Sequence, residues 1–339
     1  MITEPIFFER NRVRRIYTGG KLFGNFFGDE PTDGYFPEEW IASQVKAMNK
    51  VKADKHEGVS KIKNSDMYFD ELLEKHPEEM LGKSGKMRIL VKALDSAIRL
   101  PAQAHPDKAF SKKYFNSEYG KTESWIVLGT RPDAKIYFGF KDNVTKEDFC
   151  AAIEASRTSP KAMEDLMEYI TPQIGDVFLV PAKTVHAIGA GCLVLEVQEP
   201  TDFTIQPEYL CGEYGLTEKE MYIGLSKSDA IKCFNFEKAP DTKLTPKTVS
   251  DSNGVKFENL ITPKDTDCFV INRITLSGGS HTINAGDSYG VYIVTNGFGK
   301  LVGKDYMQSI KKGSYFFMPH SLMNRFSLEG ESLEVIECY

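Results

Sequence analysis

The chain has 339 residues, of which 41% are hydrophobic and 27% are charged, and this balance is typical of a globular protein with one large or two moderate domains. Its formal net charge of −6 argues against nucleic acid as a partner. No apolar run approaches the roughly 18 residues that a membrane span needs, and the N-terminal sequence is not that of a signal peptide. We therefore expect a cytoplasmic protein without membrane contacts.

The cysteines are scattered along the chain and form no Cys-x-x-Cys pair. They are Cys150, Cys192, Cys211, Cys233, Cys268 and Cys338. This spacing favours reduced, buried thiols over a disulfide framework or a cysteine-rich zinc site, as expected in a reducing compartment.

Short strands and loops are predicted for residues 1 to about 60, where aromatic and β-branched residues alternate with turn signals such as Gly19-Gly20. Residues 39–43 are predicted to form one of these strands. This stretch also contains a cluster of arginines, Arg10, Arg12, Arg14 and Arg15. Such a cluster is typical of a solvated strand face, and the alternative is contact with an anionic substrate.

Helical patterns interrupt the strands in three places. Ser65 is a candidate N-cap for a helix over about 65–83, and Thr217 opens a helical segment over about 217–234. Between them, two consecutive helices are predicted over about 145–170. The strands predicted around these helices are 87–94, 123–128 and a group over 175–197.

A polar stretch with two prolines, 238–253, shows little periodicity and predicts a domain boundary. We expect an N-terminal domain over 1–237, which contains the helical insertions, and a C-terminal β domain over 254–339. The C-terminal strands are predicted at 269–276, 289–296, 299–302, 314–318 and 333–337.

A faint repeat relates the two domains. The segments 175–181 and 313–319 share glycine, an aromatic residue and proline at equal offsets. Five residues past the proline, the first copy has His186 and the second has Asn324. This difference predicts that the first unit carries a metal ion and that the second is metal-free.

Two candidate metal ligands, Gln103 and His105, lie two residues apart in the segment 100–106. Side chains two apart on a strand point to the same face, so this pair can hold one ion from one wall of a pocket. Taken alone the pattern is weak, because a surface pair or a satisfied core pair explains it equally well.

The segment Gly175-x5-Pro181-x4-His186 resembles the second sequence motif of cupin β-barrels, with Lys183 where that motif prefers glycine. The resemblance implies a mainly β fold of two cupin-like (jelly-roll) β-barrel units, with a helical insertion in the N-terminal one.

The pair Gln103-x-His105, followed by Glu123, resembles the first cupin motif, with glutamine in place of its first histidine and a long insertion before the glutamate. Together the two motifs imply a metal site formed by Gln103, His105, Glu123 and His186. This mixed ligand set suits one catalytic Zn²⁺ per chain, since closed structural zinc sites favour cysteines.

Further segments resemble the type I mannose-6-phosphate isomerases of the shorter bacterial and archaeal kind. They fall in family order as Gly19-Gly20, Glu39-Trp40-Ile41-Ala42-Ser43, Leu100-x-x-Gln103-x-His105-Pro-Asp107, Gly120-Lys121-Thr-Glu123-x-Trp125 and the segment from Val180 to Glu196. The resemblance implies a zinc-dependent aldose–ketose isomerase that interconverts mannose 6-phosphate and fructose 6-phosphate through an enediol.

The resemblance also implies roles for single residues. Lys121 and Glu196 match pocket residues, and Asp202 matches an aspartate a few residues beyond that acid, for which the resemblance implies contact with the substrate. Lys121 would stabilise negative charge on the substrate oxygens and help to bind the substrate. Glu196 is the first candidate for the base that moves a proton between the two carbons, and zinc-bound hydroxide is the alternative.

Two pocket positions depart from the family pattern. Pro101 stands where the family usually has a serine that grips the substrate phosphate, and proline has neither a hydroxyl nor a backbone N–H. Gln206 stands where the family has a catalytic arginine. The residues that could supply the missing positive charge are Arg12, Arg14, Arg15, Arg99 and Lys183. Either another cation fills the role or the substrate differs.

Three functions therefore remain open from sequence. The first is the zinc-dependent mannose-6-phosphate isomerase, with a small sugar phosphate as its partner. The second is a related isomerase that acts on another sugar, such as one without phosphate. The third is a sugar-binding protein without catalysis. The oligomeric state is open as well.

Overall fold

Antiparallel sheets dominate the computed structural model, which describes residues 2–50, 54–237 and 241–339. Its strands are β1 (Ile6–Phe7), β2 (Arg12–Val13), β3 (Glu38–Ile41), β4 (Leu90–Asp95), β5 (Glu123–Thr130), β6 (Ile136–Phe140), β7 (Met167–Ile170), β8 (Val177–Val180), β9 (His186–Ile188), β10 (Cys192–Gln198), β11 (Leu210–Cys211), β12 (Tyr214–Gly215), β13 (Lys243–Leu244), β14 (Lys247–Ser252), β15 (Val255–Ile261), β16 (Ile271–Leu276), β17 (Gly279–Thr282), β18 (Gly290–Gly303), β19 (Tyr306–Lys311), β20 (Tyr315–Met318) and β21 (Phe326–Cys338). The prediction of a mainly β protein is confirmed.

The helices are short and occupy the insertions between strands. They are α1 (Phe23–Phe27), α2 (Phe69–Lys75), α3 (Pro77–Leu81), α4 (Lys108–Phe115), α5 (Lys146–Ala155), α6 (Lys161–Glu164), α7 (Glu218–Met221) and α8 (Lys227–Ala230). Three-residue 3₁₀ helices lie at Gly82–Ser84, Ile231–Cys233 and His320–Leu322. None of the helices in the described part of the chain is long and apolar enough to cross a membrane.

The first large sheet has the strand order β13-β8-β5-β10-β4-β3-β2. Its central strands β4 and β10 are buried at every residue, which explains their nearly continuous apolar sequences. Each of them carries one charge in the middle of the strand: Lys92 and Glu196 lie directly opposite each other in the antiparallel register. A buried charge costs free energy unless it is paired, so this cross-strand pair indicates a functional position.

The second large sheet has the order β1-β20-β18-β21-β16-β15-β14, and β17 and β19 pair at its side. Its inward-facing residues form a separate apolar core that includes Ile274, Val294, Phe316 and Leu328. The long strands β18 and β21 pair with two shifts of register, one between Val294 and Asn296 and one between Phe298 and Lys300. Such β-bulges let the pairing continue through a bend.

Each sheet contains an edge strand that comes from the other half of the sequence. The N-terminal β1 pairs with β20, and β13 pairs with β8. A shared apolar cluster joins the two sheets and contains Ile41 and Val91 from the first and Ile293 and Phe317 from the second. The boundary between residues 237 and 254 stays a prediction, and part of it, residues 238–240, lies outside the described residues.

Four details of the predicted secondary structure are wrong. Ser65 is not the N-cap of the first predicted helix, because the N-cap is Tyr68 and helix α2 begins at Phe69. Residues 167–170 are not helical but form β7, which pairs with β6, because a four-residue apolar pattern does not separate helix from strand. Helix α4 was not predicted, although Asp107 caps it by accepting a hydrogen bond from the Phe110 N–H at 2.7 Å. The stretch 238–253 contains β13 and β14 in place of an irregular linker. Every residue of β14 is exposed, so its sequence shows no alternation.

The faint repeat corresponds to equivalent strands. β8 and β20 each follow a glycine with positive φ, Gly175 at +91° and Gly313 at +82°. In this region of φ a side chain is strained, so glycine is favoured at both turns. Lys183, where the motif prefers glycine, likewise has a φ of +69°.

All six cysteines are free, and five of them are buried while Cys150 is half-buried. Burial raises the pKa of Cys192, Cys211 and Cys233 to about 12 in each case, so these thiols stay protonated and unreactive at pH 8. We expect iodoacetamide to add one label to the native protein, at Cys150, and six labels in urea, as read from intact mass. A Cys150→Ser variant should take no label in the native state. Several rapid labels on the native protein would contradict this packing.

Candidate metal centre and active-site cavity

A cavity of about 960 Å³ opens beside the central strands of the first sheet. Its inner wall contains Gln103, Lys121, Glu196, Lys92 and Glu38, and its mouth contains Arg14, Tyr35, Lys46, Lys50, Gln206 and Lys219. This volume is that of a typical small-molecule site. The charged inner wall and the basic mouth suit a polar ligand that has an anionic end.

Three predicted metal ligands converge next to Lys121, which lines this cavity, and we call this group of ligands the floor of the cavity. Candidate ligand atoms of His105, Glu123 and His186 all lie within 4.8 Å of one another, and the three residues are buried. His105 Nε2 is 3.0 Å from Glu123 Oε2, and His186 Nε2 is 3.2 Å from Glu123 Oε1. Two nitrogens and a carboxylate at this spacing match a catalytic zinc site.

The backbone sets the orientation of both imidazoles. The Nδ1 of His105 lies 2.9 Å from the Phe203 carbonyl oxygen, and the Nδ1 of His186 lies 2.9 Å from the Thr184 carbonyl oxygen. A carbonyl oxygen only accepts, so each Nδ1 carries the proton and each Nε2 presents a lone pair to the site. Burial, together with the Lys121 charge, lowers the pKa of His105 to about 3, which keeps this imidazole neutral.

An unsatisfied atom at the same place is consistent with a bound cation. His186 Nε2 is buried and has no hydrogen-bond partner among the residues that the structure describes. Buried polar groups are normally hydrogen-bonded, so this atom, next to the Glu123 carboxylate, points to a missing ligand. Gln103 lies beside them, because its backbone exchanges two hydrogen bonds of 2.9 Å with His186. This is an isolated bridge, whereas the sequence suggested a regular strand for the Gln-His pair.

Lys121 supplies positive charge next to the same carboxylate. Its Nζ lies 3.1 Å from Glu123 Oε2 and 2.8 Å from His105 Nε2. The pKa of Glu123 lies well below its usual range: burial opposes ionisation, but the positive charge of Lys121 and the contacts with the two imidazoles outweigh it. The site therefore holds Glu123 as an anion, the form that binds metal.

Glu196 lies on β10, the strand paired with the β5 strand of Glu123, and contacts Lys92, whose Nζ is 3.5 Å from Glu196 Oε2. Burial raises the pKa of Glu196 to about 8, because Lys92 offsets only part of the desolvation and the Glu123 carboxylate adds to the rise. A carboxyl group with a pKa near neutral pH can both give and take a proton.

Sequence reasoning missed Lys92 and Glu38, which complete this buried network. Lys92 Nζ lies 3.9 Å from Glu38 Oε2 and 5.0 Å from the centre of the Trp40 ring. The available signal was a single lysine inside the apolar run Leu90-Val91-Lys92-Ala93-Leu94. A charge in such a strand is expensive unless it faces a partner or a site.

The structure brings Asp202 to the cavity, but both of its oxygens are already bound. Arg15 donates to them at 3.0 Å and 3.2 Å, and the Met48 N–H donates at 2.8 Å. Pro101 and Gln206 also line the cavity. All of the predicted site residues therefore lie at one cavity or at its floor.

Of the five predicted compensating cations, Arg14 and Arg15 reach the cavity. The other three form ion pairs that stabilise the fold: Arg12 with Asp29 and Glu39, Arg99 with Glu164 and Glu208, and Lys183 with Asp107. The lysines at the mouth, Lys46, Lys50 and Lys219, were not predicted. They come together only in three dimensions, from the loop that follows β3 and from α7.

No protein-family model matches the sequence. The mannose-6-phosphate isomerase ManA of Bacillus subtilis (strain 168) is 30% identical to this chain over 339 residues, and the match covers 97% of each chain. The crystal structure of the mannose 6-phosphate isomerase from Bacillus subtilis has a TM-score of 0.80, with 23% identity over 99% of this chain and 100% of its own.

The fold likeness extends to a mannose 6-phosphate isomerase whose crystal structure is bound with zinc and yttrium. Its TM-score is 0.72, with 16% identity over 99% of each chain. Full-length sequence similarity to ManA, together with this shared fold, shows that the chain belongs to the mannose-6-phosphate isomerase family of enzymes.

Proposed function

We propose that this enzyme is a zinc-dependent isomerase that interconverts mannose 6-phosphate and fructose 6-phosphate. Its two sheets would then be cupin units of a type I enzyme, with the single metal site in the N-terminal one. The observation that carries the proposal is the convergence of His105, Glu123 and His186, with Gln103 beside them, at the floor of a cavity that also contains Glu196 and Lys121.

Gln103, His105, Glu123 and His186 would hold the zinc ion. Their donor set fits it: two imidazoles that are held through Nδ1 with Nε2 facing the site, one carboxylate kept anionic and one amide. When bound, zinc would act as a Lewis acid that stabilises negative charge on the substrate oxygens.

The side chains around the ligands supply the proton transfer and further charge. Isomerisation takes a proton from one of the two carbons and returns it to the other, and negative charge develops on the oxygens of the enediol. Glu196 is the group we assign to this transfer, because it is buried in the cavity wall and its pKa is raised to about 8. The Lys121 ammonium would stabilise the developing oxyanion.

The outer end of the cavity would bind the phosphate. Pro101 offers no donor there, and Gln206 offers an amide without charge. Lys46, Lys50 and Lys219 line the mouth and can supply the positive charge and the hydrogen-bond donors that the family arginine and serine would have provided.

The free cysteines fit a reducing compartment, so we assign the reaction to the cytoplasm.

A coupled assay for fructose 6-phosphate formed from mannose 6-phosphate tests the proposal. We expect activity in the purified protein, loss of activity after complete removal of metal by a chelator, and recovery when zinc is added back. Metal analysis should show about one zinc ion per chain, as one set of ligands implies. Full activity of the metal-free protein would rule out the mechanism.

The second candidate is an isomerase for an unphosphorylated sugar, and the absence of the family serine and arginine at Pro101 and Gln206 favours it. Parallel assays with mannose and with mannose 6-phosphate separate the two. A higher kcat/KM for the phosphorylated sugar supports the first candidate, and the reverse ratio supports the second. If neither sugar exchanges a proton with solvent, the result favours a protein that binds sugars without isomerising them.

A further inference from the structure

The loop of residues 46–50 brings two lysines to the mouth of the cavity. Lys46 and Lys50 are exposed, and both line the cavity. Lys50 Nζ also lies 3.7 Å from Glu220 of α7, on the other side of the mouth. Exposed lysines are mobile, so their usefulness as a binding site depends on how firmly the backbone between them is held.

The middle of this loop is attached to Asp202. The Met48 N–H donates to Asp202 Oδ2 at 2.8 Å, while Arg15 donates to Oδ1 at 3.0 Å and to Oδ2 at 3.2 Å. The Asp202 side chain is only 6% exposed. With a backbone N–H and a bidentate guanidinium already bound, this carboxylate is engaged with the protein and not with the open cavity.

Asn49 provides a second attachment to the same arginine segment. Its Oδ1 accepts from Arg15 at 3.2 Å, and its Nδ2 donates to the Arg14 carbonyl oxygen at 2.8 Å. Arg15 is itself fixed, because it donates to Glu38 at 2.9 Å and lies over the Trp40 ring at 5.2 Å. The loop is therefore tied at Met48 and at Asn49 to a rigid part of the first sheet.

We propose that Asp202 and Arg15 are positioning residues for the 46–50 loop and that they set the affinity of the enzyme for the anionic end of its substrate. This role replaces the direct sugar contact that the sequence suggested for Asp202, and it rests on the proposed function. Asn49 completes the attachment. Fixing the loop holds Lys46 and Lys50 at the mouth before the substrate arrives, which lowers the entropic cost of binding a phosphate.

The proposal predicts a specific kinetic pattern. An Asn49→Ala variant keeps every charge. Its KM for mannose 6-phosphate should rise by about tenfold, which is the effect of losing one charge-assisted hydrogen bond, while kcat should change far less. Competitive inhibition by inorganic phosphate should weaken to the same extent. Asp202→Asn should behave alike, but it leaves Arg15 short of a partner and can impair folding, so Asn49→Ala carries the test.

Two measurements distinguish positioning from direct contact. In a double-mutant cycle, Lys50→Ala should cost less affinity in the Asn49→Ala background than in the wild type, because the lysine is no longer held. Hydrogen exchange at the Met48 amide should accelerate in Asp202→Asn. Lys304→Ala, an exposed lysine of the second sheet, is the matched control and should leave KM unchanged.

An unchanged KM in Asn49→Ala would overturn the proposal, and so would strictly additive effects of the Asn49 and Lys50 substitutions. Unchanged exchange at the Met48 amide in Asp202→Asn would also overturn it. A wild-type protein that does not isomerise mannose 6-phosphate would instead refute the proposed function. In that case, amide exchange and protection of the loop by inorganic phosphate still decide whether Asp202 positions it.

Discussion

A Glu196→Gln variant should lose between about 10²-fold and 10⁴-fold in kcat for the conversion of mannose 6-phosphate to fructose 6-phosphate, the usual contribution of a general acid–base group. Glutamine has nearly the same shape and can still accept a hydrogen bond, but it cannot take a proton from carbon. Its neighbour Lys92, 3.5 Å away, stays in place. The substitution therefore removes the proton transfer and leaves the cavity filled.

Solvent-proton exchange at the sugar gives the sharpest measurement of this effect. In deuterated buffer, NMR should show rapid loss of the proton at the reacting carbon with the wild-type enzyme and almost none with Glu196→Gln. Affinity for an acyclic sugar phosphate that cannot isomerise should be nearly unchanged. If exchange continues at the wild-type rate, a group other than Glu196 carries the proton.

Zinc content serves as the control, because Glu196 lies close to the ligand Glu123. A variant that binds about one zinc ion per chain, as in the wild type, has lost the acid–base group alone. Glu118→Gln removes an exposed carboxylate that pairs with Lys86, and neither residue lines the cavity, so the substitution should leave kcat unchanged.

The candidate metal ligands could be predicted from sequence because each lies in a local pattern that can be recognised. Gln103 and His105 are two residues apart, Glu123 begins a buried strand, and His186 follows Gly175 and Pro181 at the spacing Gly175-x5-Pro181-x4-His186. The structure brings His105, Glu123 and His186 within 4.8 Å of one another. The mainly β fold was predictable for a similar reason, since buried strands such as β10 are continuous apolar runs.

Most of the charged wall of the cavity could not be predicted in the same way. Glu196 was predicted from the family resemblance, but Lys92 and Glu38 were not, because only the antiparallel register of β3, β4 and β10 places them beside it. The sequence around Asp202 likewise contains no pattern that predicts its hydrogen bonds with Arg15, which lies 187 residues away. Local patterns report the periodicity of one element, whereas such contacts depend on how separate elements pack.

A Glu38→Gln variant should be the most destabilised of the variants discussed, by about 3 kcal/mol at pH 7. Burial opposes the ionisation of Glu38, but Arg15 and Lys92 outweigh it, and with hydrogen bonds from Arg15 and Tyr17 they lower its pKa from 4.5 to about 2. That difference between the pKa values corresponds to about 3 kcal/mol of native-state stability. Glutamine keeps the shape but leaves Arg15 and Lys92 short of one negative charge.

The sign of the pH dependence follows from this lowered pKa. The unfolded chain binds the proton first, so the stabilisation by Glu38 is fully present above pH 4.5 and is lost as the pH falls towards 2. We therefore expect the difference in the free energy of unfolding between wild type and Glu38→Gln to be largest at pH 6–7 and to shrink below pH 4.5. Urea titrations followed by circular dichroism at pH 7, 5 and 4 measure it.

Glu118→Gln is again the matched control, because the Glu118 side chain is exposed and water screens its ion pair with Lys86. Its unfolding curve should coincide with that of the wild type at each pH. If Glu38→Gln does the same at pH 7, the buried carboxylate does not hold the cavity wall together. A destabilisation that stays constant down to pH 4 would instead point to lost packing, since a packing defect does not depend on proton binding.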